Sequence, residues 1–154
     1  MPDPPAPPPA KVFDPIAEFL KDRGCPSHVV RAGLKGLVMN WEKVVSELVF
    51  DGYRYGLRDF VKDLSRRELL GGAEARLGAA LPEAMRGRIA GADQRFRGAT
   101  LAASRSLLGE DEEARLGLST ERSWWFRRLP RGHRAPFARD LSAAGIQALP
   151  DEGV

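Results

Sequence analysis

The chain has 154 residues, 43% of them hydrophobic and 29% charged, a balance that excludes a chain too polar to fold and fits one domain burying roughly 70% of its unfolded surface. The formal charge of +3 is small, and because arginine outnumbers lysine 19 to 5, a pI near 9.3 points only weakly to polyanionic partners. One cysteine, Cys25, excludes an internal disulfide framework, and no apolar run approaches the roughly 20 residues of a membrane helix; with no signal-like leader, a cytoplasmic protein without membrane contact is expected.

Residues 1–10, MPDPPAPPPA, carry six prolines and no large apolar side chain, so they are expected to form a disordered tail of polyproline II character, either a solubilising leader or a ligand for an aromatic groove. The domain proper is placed at 11–149, with a second tail at 150–154. Asp14 can cap a short helix that starts at Pro15 and buries Ile16, Phe19 and Leu20, before Gly24 and Pro26 stop it. Ser27 is expected to cap a long helix whose apolar residues, Val30, Leu34, Leu37, Trp41, Val44 and Leu48, step by 4, 3, 4, 3 and 4. This stripe places Trp41 in the core, and Asp51-Gly52 ends the helix.

A third helix is read over Tyr53 to Leu64, with SRRE at Ser65 to Glu68 matching a capping box that starts a fresh turn through Leu69 and Leu70; Gly71-Gly72 weakens the helical pattern beyond that turn. Pro82 opens a further helix in which Met85, Ile89, Ala92, Phe96, Ala99 and Ala103 repeat the spacing of the long stripe, so the two should pack together. The acidic run Glu110 to Glu113 precedes an irregular arm, and a last short helix runs from Pro136 through Phe137 and Leu141 to Ile146. No segment alternates like a strand. The expected class is therefore all-α, a bundle of four to five helices with an arginine- and tryptophan-rich C-terminal arm.

The arm is the sharpest chemical feature. Between Arg122 and Arg139 lie six arginines and no acid, with Trp124, Trp125 and Phe126 among them. Aromatic faces and cations together bind single-stranded nucleic acid, and they equally mark protein interfaces. A third reading folds the arm across the bundle as a clamp, with one tryptophan inward because neighbouring side chains diverge, and Arg127 or Arg128 stacked on rings or paired with the acidic run. The candidate binding surface comprises Arg122, Trp124, Trp125, Arg127, Arg128, Arg131, His133 and Arg134. Arg86, Arg88, Arg95 and Arg97 form two short basic ridges on the Pro82 helix, and Gly87, Gly91 and Gly98 share a face open to close packing.

No catalytic, metal or cofactor set is assembled. Cys25 and His28 adjoin without an orienting residue, and two separated histidines with one cysteine make no usual zinc site. Asp59 and Asp63 with Glu42 or Glu47 lack the Glu-x-x-His partners of a di-metal bundle, and pairing of Arg58, Lys62, Arg66 and Arg67 with those acids accounts for them. No phosphate-binding glycine motif is present. With NWEKVV (Asn40 to Val45), YGLRDFVKDLSRREL (Tyr55 to Leu69) and the Trp124-Trp125 pair in view, residues 13–146 resemble a group of short bacterial cytosolic proteins. That resemblance implies a helical fold and a cytoplasmic location, and carries over no activity and no site residue. The expected function is a protein-interaction or regulatory module with a protein partner or a second copy of itself; the alternative is nucleic-acid binding through the arm.

Overall fold

A computed structural model describes residues 2–5 and 14–150, so most of the expected proline tail and nearly all of the second tail lie outside the described residues. Asp14 caps the first helix as expected, its Oδ1 accepting from the backbone N–H groups of Ile16 and Ala17 at 2.9 and 3.2 Å. Helix α1, Pro15–Asp22, buries Ile16, Phe19 and Leu20. Helix α2, Ser27–Asp51, is not capped by Ser27, which is already its first residue; Pro26 holds the cap position. The helix kinks at Gly33, where φ is +61°, and below the kink Leu37, Val38, Trp41, Val44, Val45 and Leu48 are buried. Glycine tolerates that backbone because it has no Cβ.

Helix α3 runs unbroken over Leu57–Leu77. The fresh start expected at Ser65 is absent, because Ser65 Oγ instead donates back to the Val61 carbonyl at 2.9 Å and the helix continues. Gly71 and Gly72 lie inside it for steric reasons: a Cβ on Gly71 would stand 3.3 Å from the Trp125 ring, and one on Gly72 would stand 2.5 Å from the Phe19 ring. Helix α4, Glu83–Gly98, packs on α2 through Ile89, Ala92 and Phe96, as that part of the matching stripe predicts, but it ends before Ala99 and Ala103, where the expected helical spacing runs on into extended chain. Gly87, Gly91 and Gly98 face open space.

One further helix and two short strands depart from the expected class of four to five helices and no strands. The acidic run forms helix α5, Glu110–Leu116, giving six α-helices among the described residues with α6, Ala135–Ala144. Its four acids fall in the first turn, where they complement the helix dipole, and Gly117 ends it in the left-handed conformation. Strands β1, Thr100–Ala102, and β2, Arg128–Pro130, pair antiparallel with Leu101 opposite Leu129. Three residues are too few to show a period of two, so tertiary pairing rather than local pattern makes them strands. The fold is mostly helical, with this small sheet fastening the C-terminal arm to the end of α4. No helix among the described residues is long and apolar enough to cross a membrane.

Candidate docking site

The arm residues come first, because the sequence singles them out. Trp125 is only 3% exposed, with the guanidinium of Arg67 over its ring at 4.3 Å. Trp124 is half-buried, 5.9 Å from the Phe96 ring and 5.6 Å from Trp125, with Arg97 stacked on it at 3.6 Å. The cations that stack on these rings thus come from α3 and α4 and not from the arm. Arg127 does pair with the acidic run, through Glu113 at 2.9 Å. Arg128 donates to Thr100 Oγ1, the Thr100 carbonyl and the Arg97 carbonyl, and Arg131 donates to the Gly98 carbonyl at 3.0 Å, so both satisfy oxygens at the C-terminus of α4. Arg122, His133 and Arg134 are exposed; His133 stacks 5.0 Å from Phe137, and Arg134 approaches Asp51 at 4.0 Å. The arm is therefore a clamp whose rings and central arginines serve the fold, and its eight candidate residues do not form one outward surface.

Beneath the clamp lies a polar network that the sequence does not announce. Arg67, 4% exposed, donates through Nε and Nη2 to the two carboxylate oxygens of Asp93, each at 2.9 Å, and through Nη1 to Glu74 at 2.8 Å. Trp41 Nε1 donates to Asp93 Oδ1 at 2.9 Å. Burial opposes the guanidinium charge, but the two carboxylates outweigh it and hold the Arg67 pKa above its ordinary value. The expected pairing of Arg67 with Asp59, Asp63, Glu42 or Glu47 is thereby corrected: it reaches across to Asp93 of α4 and along its own helix to Glu74. Arg66 does keep its local partner, Asp63, at 3.6 Å. On the basic ridge, Arg88 pairs with Glu42 of α2.

The surface that remains open lies at the corner between α2 and α3. Gly52, at φ +69°, reverses the chain, and a Cβ there would meet the Gly132 carbonyl oxygen at 2.8 Å, so glycine is required twice over. Tyr53 N–H donates to that same carbonyl at 2.8 Å, tying the corner to the arm. The Tyr53 ring is buried, edge-on to Phe60 at 4.8 Å and to Phe137 at 5.7 Å. Its hydroxyl donates to Asp63 Oδ2 at 2.7 Å. Asp140 of α6 accepts the Leu57 N–H at 3.0 Å, which fixes the start of α3 beside Gly56. The expected helix over Tyr53 to Leu64 thus begins only at Leu57, because residues 52–56 make the turn that builds the corner.

Around this rigid post the corner displays Phe50, 91% exposed, and Tyr55, 61% exposed, with a cavity of about 200 Å³ between them lined also by Glu47, Asp51, Tyr53 and Asp63. Phe50 stands nine residues after Trp41, about 180° around an ideal helix, so a large ring opposite the buried stripe is the signal that marks this face in the sequence. Burial raises the Asp63 pKa from its ordinary range, more than the Tyr53 hydrogen bond and Arg66 lower it. Burial and the Asp63 carboxylate push Tyr53 far above the usual phenol range. A group with a raised folded pKa stabilises the fold below its unfolded pKa and loses that contribution as pH rises. In a Tyr55→Phe variant, which leaves Tyr53 as the sole tyrosine, phenolate absorbance at 295 nm should therefore appear only together with loss of helical ellipticity, and stability should fall above about pH 10. Ionisation ahead of unfolding would contradict the buried Tyr53–Asp63 bond.

Cys25 is half-buried in the turn before α2 and His28 is exposed. Among the described residues no group of three histidines, cysteines or carboxylates could hold a metal ion. No protein-family model matches the chain, and no curated protein or solved structure is detectably similar to it.

Proposed function

We propose that this chain is a protein-interaction or regulatory module whose docking face is the α2–α3 corner carrying Phe50 and Tyr55. The observation that supports this is a phenylalanine held almost wholly in water on the last turn of a long, anchored helix. Burying such a ring in a partner contributes about 1.5 to 3 kcal/mol, and aromatic side chains on preorganised backbone are the usual centres of binding energy. The corner is preorganised, since Gly52, Tyr53 and Leu57 are tied to the arm and to α6. A cytoplasmic setting fits the single cysteine. Nucleic-acid binding along the arm has less support, because Trp124 and Trp125 each have a ring face covered by an arginine of this chain.

The test uses a photo-crosslinking phenylalanine analogue at position 50 and, as a control, at exposed Arg115 on α5. A discrete adduct is expected from position 50 and not from 115; an adduct of twice the chain mass identifies a second copy as the partner. Phe50→Ser should then abolish binding of the identified partner while moving unfolding stability by less than about 0.5 kcal/mol, because the ring contacts little of its own fold. Unchanged binding by Phe50→Ser would remove the docking reading.

A further inference from the structure

We infer that the cavity at the α2–α3 corner seats a cationic side chain, an arginine or lysine projecting from a basic segment of a partner protein. This inference rests on the docking reading and adds the chemistry of what docks. The cavity walls are aromatic: Tyr53 and Tyr55 stand edge to face, with centroids 6.0 Å apart and planes at 81°, and Phe50 forms the outer lip. Ring faces, which carry the negative part of the aromatic quadrupole, attract ammonium and guanidinium groups within about 6 Å, and Tyr55, 61% exposed, keeps ring surface open to such a group.

The charges on the lining select the sign. Glu47, Asp51 and Asp63 face one cation, Arg54, which is already paired with Asp51. Glu47 is exposed and makes no ion pair among the described residues, yet it lies close enough, with Asp59, to raise the Asp63 pKa. Asp63 is partly desolvated and has the Tyr53 hydroxyl on one oxygen and Arg66 at 3.6 Å from the other. The adjoining outer groove adds Lys43, Lys62, Arg66 and Asp59 and shares Glu47 and Asp63 with the cavity. An incoming cation relieves the repulsion among Glu47, Asp59 and Asp63, whereas an anion adds to it and a neutral apolar side chain desolvates the carboxylates further with no compensation. The volume, about 200 Å³, suits one side chain and not a helix or a base stack.

The experiment is a titration of the isotope-labelled full chain, followed by backbone amide NMR shifts, with acetylated and amidated tripeptides whose central residue is arginine, lysine, citrulline or norleucine. Saturable shifts confined to residues 47–63 are expected for arginine or lysine, with Kd of about 1 to 10 mM for so small a probe and weakening as salt rises. The stronger of those two peptides tells a guanidinium seat from an ammonium seat. Citrulline and norleucine should bind at least about fivefold more weakly. Glu47→Gln, at an exposed position, should weaken the cationic peptides by a similar factor while leaving the spectrum elsewhere unchanged. If norleucine or citrulline shifts the corner as well as arginine does, the cation seat is wrong and an apolar docking face remains. If no peptide shifts the corner up to about 20 mM, the cation seat is equally wrong, and the crosslinking at position 50 decides the docking reading independently.

Discussion

Asp93→Ala is expected to lower unfolding stability by about 3 to 5 kcal/mol, a loss large enough to leave a substantial fraction of the chain unfolded at 25 °C. Asp93 accepts two hydrogen bonds from Arg67 and one from Trp41, so its removal strands a buried guanidinium and a buried indole N–H together. Glu74 still pairs with Arg67 Nη1, but its side chain is 30% exposed and neutralises the charge from one end only. Urea unfolding monitored by far-ultraviolet ellipticity measures the loss. The double variant Asp93→Ala with Arg67→Met should cost markedly less than the two single changes summed, because a buried ion pair is worth little against an apolar pair, whereas half a pair is very costly. A single-variant loss below about 1 kcal/mol would mean that water reaches Arg67 and that the network is not closed.

Trp125→Ala is the second large effect, at about 3 to 5 kcal/mol, since it deletes a nearly fully buried ring lying between Arg67, Gly71 and Phe126. The cavity left behind has Gly71 as part of its wall, and glycine has no side chain with which to fill it. Trp124→Ala should cost clearly less, because its half-buried ring gives up a cation contact with Arg97 and part of a contact with Phe96. Trp125→Phe separates two components. It keeps a ring under Arg67 and deletes the buried Nε1–H, which has no acceptor among the described residues, so it should recover most of the loss. Thermal unfolding of the three variants ranks them; equal losses for Trp124→Ala and Trp125→Ala would refute the inward clamp.

The legible parts of the fold are the local ones. The stripe from Val30 to Leu48 steps with the helical period because one face of α2 is buried, and Trp41 in its centre is fully buried. Asp14 caps α1, and Gly52 stops α2, through contacts or dihedral preferences within three residues of the helix end. Helix α5 is equally legible in kind, since acids crowd its first turn, Arg115 sits in its last and Gly117 closes it. Treating Glu110 to Glu113 as a mere charge run overlooks that arrangement. Arg67 and Asp93 stand 26 residues apart and carry no local sign of being partners. Periodicity places Arg67 on a helix beside acids but does not say that its side chain turns inward. The arm is visibly rich in stacking chemistry, yet the cations on its rings are Arg67 and Arg97, supplied by other elements. The α2–α3 corner escapes periodicity because the helical pattern extends back through Tyr53, across the glycine-bounded turn at 52–56 where the two tyrosines stand.

The bond from Tyr53 N–H to the Gly132 carbonyl and the lid of Trp125 on Arg67 both join early helices to late chain. During synthesis, α1 to α4 leave the ribosome well before either tie can form, so a nascent chain carries Arg67 on a face that the Trp125 ring does not yet cover. Such a fragment has its helices but lacks their fastening. A stop between Gly117 and Trp125 should therefore release an expanded species that exposes apolar surface, although helices α1 to α5 are already complete in its sequence.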